Sequence, residues 1–173
     1  MVKVLTLLCG VFAASFLVSS NIARAKDPVL LASYGDWEAY TEIENGNQVC
    51  YVGTAPKKSK GNYKKRGDVF LLVTHRPKDK EINVVSIQFG YKFKKNADVN
   101  ISIDKNTYKL FTHISYAFAH DQKTDLAIVK SMIKGTKMEV RGTSSRGTKT
   151  IDTFSLKGFT AAYKAINKKC KVR

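Results

Sequence analysis

Six cations fall within ten residues at Lys57-Lys58-Ser59-Lys60-Gly61-Asn62-Tyr63-Lys64-Lys65-Arg66, with no acid among them. Such a run attracts anions, so it can dock on phosphorylated glycolipid, anionic membrane or acidic glycan. It can equally be a solvated, solubilising segment of a lysine-rich chain. It has no apolar period and contains Gly and Asn, which reads as a loop between two strands. Arg146 and Lys149, beside Gly147, extend the basic surface or simply mark an exposed β-turn. Arg66-Gly67-Asp68 spells an adhesive tripeptide, although Gly67-Asp68 serves as well as a turn into the next strand.

Other chemistry is sparse. The histidines are His75, His113 and His120; the last two are seven residues apart, which is no recognised ligand spacing, and all three read as surface or edge-strand residues. Asp36 and Glu38, two apart, face one side of a strand and form a conceivable acid–base pair or a solvated face. The chain contains no H-E-x-x-H, G-x-S-x-G, Walker loop or G-x-G-x-x-G, so no catalytic residue, metal site or cofactor is expected.

These residues belong to a chain of 173 with 30 Lys+Arg against 14 Asp+Glu, a formal net charge of +16. That length builds one domain with its own core rather than two. A hydrophobic content of 43%, with one Trp, eight Tyr and nine Phe, excludes a disordered polycation. Three prolines and eleven glycines exclude collagen-like or low-complexity architecture.

Residues 1–25 differ in kind from the rest. Lys3 gives a positive start, Val4 to Ser20 is uncharged and rich in Val, Leu, Phe and Ala, and Ala23-Arg24-Ala25 is an A-x-A ending. This pattern predicts a secretory signal peptide cleaved after Ala25, the apolar stretch being short for a membrane span. The mature segment 26–173 then loses Lys3 and Arg24, and its net charge falls from +16 to +14. With no other apolar run long enough to span, it is expected as a single exported domain. Cleavage also removes Cys9 and leaves Cys50 and Cys170, an even pair in an oxidising compartment, which predicts a disulfide between them. A redox thiol or a metal pair would call for C-x-x-C or a His-rich set, and neither is present.

The positioning elements are mostly strands. Period-two alternation marks Tyr34–Thr41, Gln48–Gly53, Val69–His75, Asn83–Phe93, Val99–Ile103, Tyr108–Phe111, Ser115–Ala119, Lys137–Gly142 and Lys149–Phe154. Short strands at this spacing predict an antiparallel, immunoglobulin-like β-sandwich. Two helices interrupt it. One is capped by Thr124 and runs to Lys134, with Leu126, Val129, Met132 and Ile133 as its apolar stripe and Gly135 as its stop. The other runs from Phe159 to Lys168, with Phe159, Ala162, Tyr163 and Ile166 on one face that continues to Cys170. Gly142 and Gly147 read as hairpin residues that tolerate positive φ, and Gly158 as the sharp entry to the last helix.

Several separated segments resemble one family. Tyr34-Gly35-Asp36-Trp37 with Val49-Cys50-Tyr51, Val85-Ser86-Ile87 with Gly90-Tyr91-Lys92-Phe93, the stretch Arg141 to Thr150, and Asp152 to Ala162 with Cys170 are similar to the invasion-associated locus B family of exported alphaproteobacterial proteins. The resemblance implies a small envelope β-sandwich, linked in some members to entry into host cells, notably erythrocytes, and no catalytic residues or cofactor. Many relatives place a second cysteine shortly after the Gly-Asp-Trp motif. Ala39 and Tyr40 stand there in this chain, which supports pairing Cys50 with Cys170.

The sequence thus predicts a non-enzymatic protein of the periplasm or cell surface. Lys57, Lys58, Lys60, Lys64, Lys65 and Arg66, with Arg146 and Lys149, would bind an anionic envelope or host-surface partner. The alternative is a periplasmic accessory or inhibitor that binds a protein through a sandwich edge. Nucleic acid is a poor partner for an exported chain without RNP-type aromatics.

Overall fold

The computed structural model describes residues 27–172, so the signal-peptide expectation for residues 1–25 lies outside the described residues. Eleven strands form one antiparallel sheet: β1 (Val29–Tyr34), β2 (Trp37–Glu44), β3 (Asn47–Thr54), β4 (Lys58–Gly61), β5 (Phe70–Arg76), β6 (Glu81–Gln88), β7 (Val99–Ile103), β8 (Asn106–His113), β9 (Tyr116–Phe118), β10 (Lys137–Thr143) and β11 (Lys149–Ser155). Helix α1 spans Gln122–Lys134 and α2 spans Phe159–Cys170. The spatial order is β1-β2-β3-β5-β6-β9-β8-β7-β10-β11-β4. The expected mainly β, antiparallel fold with two helices is what forms.

Strand β8 holds the two halves of the sandwich together, because it pairs with β9 on one side and β7 on the other. The sheet then folds over. Strands β2 and β11 are far apart in the sheet order, yet the Trp37 indole N–H donates to the Ser155 carbonyl at 3.0 Å. Inward-facing residues of both halves and both helices form one core, from Trp37 through Phe89 and Phe154 to Ile166.

Helix α2 is the main fastener of the first half. Its stripe buries Phe159, Ala162, Ile166 and Cys170, with Phe159 edge-on to Trp37. Cys170 is bonded to Cys50 of β3. The helix enters at Gly158, φ +94, where a Cβ would lie 1.7 Å from the Tyr34 carbonyl oxygen. Only glycine fits that contact between the chain before α2 and the β1–β2 turn.

Several expectations need correction. The strand expected over Tyr34–Thr41 is two arms of a hairpin that turns at Gly35-Asp36, and β1 before it was not anticipated. The long alternation from Asn83 stops as a strand at Gln88. Asp121, not Thr124, caps α1 by accepting the Thr124 N–H at 2.7 Å. The α1 stripe is rotated: Val129 and Met132 are buried as expected, but with Asp125 and Ile128, while Leu126 and Ile133 are exposed. The basic segment is not wholly a loop, since Lys58–Gly61 is an edge strand paired with Thr150–Thr153. His75 is not a surface histidine but fully buried.

His75 belongs to a polar knot that joins α2 to the sheet. Its Nδ1 accepts the Asn83 backbone N–H at 3.1 Å, so its Nε2 carries the proton and donates to Asn167 Oδ1 at 2.8 Å. The Tyr163 hydroxyl donates to Asn83 Oδ1 at 2.6 Å. Burial lowers the His75 pKa. On α1, burial pushes the Asp125 carboxyl up to about 6, against the opposing pull of the Val85 N–H that it accepts at 2.8 Å.

Two predictions follow from these contacts. Cys50→Ser/Cys170→Ser should lower unfolding free energy by about 2–5 kcal/mol, read from the denaturant midpoint. The two titrations should oppose each other. The His75 contribution is present above about pH 6.5 and is lost as pH falls below it. The Asp125 contribution is present at low pH and is lost as pH rises through about 6. Between pH ~5 and ~6.5, Asp125→Asn should therefore steepen the acid loss of stability and His75→Gln should flatten or reverse it, read from Tm against pH.

Candidate functional site

The basic run, the loop after β6 and the β10–β11 turn enclose an open groove of about 810 Å³. Lys64, Lys65, Lys92 and Arg146 bring four cations to its walls, Tyr63 and Tyr91 bring rings, and Ser144, Ser145, Thr148 and Thr150 bring hydroxyls. No acid lines it. Among the described residues, none of those four cations is engaged in an ion pair.

Backbone bonds fix the three walls against one another. Gly67 N–H donates to the Gly90 carbonyl at 3.0 Å, Ser145 N–H to the Lys92 carbonyl at 2.7 Å, and Lys94 N–H to the Thr143 carbonyl at 3.1 Å. Gly90 has φ +66, and a Cβ there would come within 2.2 Å of the Gly67 oxygen. The turn itself closes through Gly147 N–H to the Ser144 carbonyl at 2.8 Å. Gly147 has the expected positive φ, at +82. Gly142 does not; it is glycine for space, because a Cβ would meet the Phe89 ring and the Tyr91 hydroxyl, each at 2.7 Å.

Arg66 lies beneath this groove and is not a free cation. Its Nη1 and Nη2 donate to Asp152 Oδ1 and Oδ2 at 2.7 and 2.8 Å, and its Nε donates to the Phe89 carbonyl at 2.7 Å. The Arg66 side chain is 5% exposed and that of Asp152 is 0%. Burial works against the guanidinium charge, but its bonds to Asp152 hold its pKa above the ordinary arginine value. The guanidinium also stacks 4.9 Å from the Tyr91 ring centroid. Burial raises the Tyr91 pKa, and its hydroxyl shares a 2.7 Å bond with Thr150 Oγ1, so it stays a neutral phenol on the groove floor.

The groove gathers only part of the expected basic set. Lys64, Lys65 and Arg146 line it. Arg66 is consumed as described, so the run is not uncompensated and Arg66-Gly67-Asp68 cannot present its guanidinium to an adhesion receptor. Lys57 pairs with Asp36. Lys58 and Lys60 sit exposed on edge strand β4, where lysines also block pairing with other chains. Lys149 opens β11, exposed but outside the groove lining. Lys92 was missed, because it closes a long alternation whose strand was expected to continue through it.

The other candidates do not assemble a reaction centre. Asp36 and Glu38 share a shallow groove of about 660 Å³. Lys57 holds the Asp36 carboxyl below its usual range, and Glu38 accepts the Tyr40 hydroxyl at 2.6 Å, so the two do not divide acid and base roles. His113 and His120 are exposed, and His120 packs on Phe111 with ring centroids 5.4 Å apart. Among the described residues, no group of three or more His, Cys, Asp or Glu is placed to hold a metal, and no helix is long and apolar enough to cross a membrane.

Removing Arg66 strands a buried carboxylate, so Arg66→Ala should lose about 3–5 kcal/mol of stability. The paired replacement Arg66→Met/Asp152→Leu should lose much less, and comparison of their urea midpoints checks the point.

A family model described as "Invasion associated locus B (IalB) protein" matches residues 37–167. The crystal structure of invasion associated protein B from Bartonella henselae has this fold: TM-score 0.59, with 83% of this chain and 97% of that chain covered, at 17% identity. No curated protein matches the sequence. The matched segment runs from the buried Trp37 in β2 to Asn167 in the α2 polar knot, and on that match the chain belongs to the invasion associated locus B family.

Proposed function

We propose that this is a non-enzymatic envelope or cell-surface protein, exported by the signal peptide expected in residues 1–25, that binds an anionic partner in the Lys64/Lys65/Lys92/Arg146 groove. The observation that carries the reading is four unpaired cations from three chain segments converging on one groove without an acid. Opposed hydroxyls and two tyrosine rings suit phosphate, sulfate or carboxylate groups carried on sugars or lipids, where charge-assisted hydrogen bonds and stacking both contribute. Family membership supports an invasion-associated context; in this reading the groove is the contact with the host-cell surface, erythrocytes included. A second reading, a protein partner added at a sheet edge, is favoured by β1, a terminal strand of the sheet whose Val29 and Leu30 are about half exposed.

The test uses heparin as a soluble polyanion and residues 26–173, oxidised. Lys64→Ser/Lys65→Ser/Lys92→Ser/Arg146→Ser should weaken binding on the order of a thousandfold, at about 1 kcal/mol per cation, and flatten its salt dependence. A matched control, Lys78→Ser/Lys80→Ser/Lys164→Ser/Lys168→Ser, removes the same charge elsewhere and should weaken it far less. Equal losses in both variants overturn the groove as the site.

A further inference from the structure

Ile114, at the tip of the β8–β9 hairpin, is 64% exposed, the largest value for any big apolar side chain among the described residues. It also sits at φ +55, a region costly for a β-branched residue, where Gly or Asn would hold the turn with less strain. Strain kept at an exposed apolar position points to a use for the side chain itself. The adjoining pairs Phe111↔Phe118 and His113↔Tyr116 flank the inward pair Thr112↔Ala117 and face outward. Phe111 and Tyr116 are 39% and 37% exposed.

A cationic segment lies along one side of this tip. The Ile114 carbonyl accepts the Phe93 N–H at 3.1 Å, so Lys92 and Lys94 flank the residue bonded to it, and Lys95 follows. The Lys92 carbonyl in turn holds Ser145, which makes the tip continuous with the groove wall bearing Arg146. An apolar projection with aromatic flanks and an adjoining segment of unpaired cations matches an anionic lipid surface in both layers, acyl boundary and phosphates.

We propose that the Ile114 tip inserts into the interface of an anionic bilayer while Lys92, Lys94, Lys95 and Arg146 contact headgroup phosphates. This rests on the groove reading for its charges and adds an apolar anchor that heparin does not engage. The experiment uses phosphatidylcholine vesicles with and without phosphatidylglycerol. Ile114→Trp should show blue-shifted emission, and quenching by brominated acyl chains, only with phosphatidylglycerol; Trp37 is fully buried and gives a constant background. Ile114→Ser should reduce vesicle affinity about tenfold and leave heparin affinity unchanged.

Vesicle binding without the shift or quenching, or an Ile114→Ser variant that binds as before, overturns insertion and leaves the groove reading standing. Insertion retained by the groove variant overturns the headgroup contacts of Lys92 and Arg146, while the groove reading is decided separately by heparin. Equal insertion into neutral vesicles, or no binding to either kind, overturns the proposal.

Discussion

A carboxylate in the middle of β11 with no exposed side-chain surface requires a fixed counter-charge, and the architecture of the groove end follows from how Asp152 obtains one. Arg66 reaches it in bidentate form across 86 residues of sequence. That single pairing ties the end of the basic run to one half of the sheet. The Nε bond to the Phe89 carbonyl ties it to the other half. The Gly67–Gly90 contact and the stacked Tyr91 ring then have only one place to go. The cationic groove is the solvent side of that buried pair, so the neutralised arginine positions the free lysines.

The opposite end of the molecule is closed by different chemistry with the same effect. There α2 is held against the first half of the sheet by the Cys50–Cys170 bond, by His75 to Asn167 and by Tyr163 to Asn83. The Trp37–Ser155 bond brings β2 against the end of β11. Between the two closures the core is apolar and continuous. A sheet fixed at both ends can leave its turns free to carry unusual residues, which is where Ile114 and Arg146 lie.

Legibility in the sequence followed burial. Val69–His75, Val99–Ile103, Lys137–Gly142 and Lys149–Phe154 were readable because each strand buries alternate residues, and α2 because its four core residues fall on one stripe. Strand β4 was not, since all four residues are exposed and no period exists to read. The Tyr34–Thr41 run hid a hairpin because a two-residue turn preserves alternation across it. The α1 stripe was misplaced because Asp125, polar by type, is buried on the Val85 N–H, a partner 40 residues away. Arg66 was miscounted for the same reason: an acid-free decapeptide says nothing about an acid supplied by a distant strand. The groove was half legible, in Lys64, Lys65 and Arg146, because sequence reveals clusters that are local and hides those assembled by folding.

That distinction decides how a net charge of +16 should be interpreted. At physiological salt the Debye length is about 8 Å, so scattered surface lysines act as separate, weakly held charges. The groove volume of about 810 Å³ corresponds to a span of roughly 9 Å, comparable to that screening distance. Its four cations would therefore act together on any anion held there. Elsewhere acids break the field: Glu44 takes Arg76, Asp98 takes Lys109, and Glu139 takes Lys137 and Arg141. Composition alone describes a protein sticky to any polyanion, whereas the pairing pattern among the described residues leaves an acid-free groove where charge is concentrated and structurally fixed.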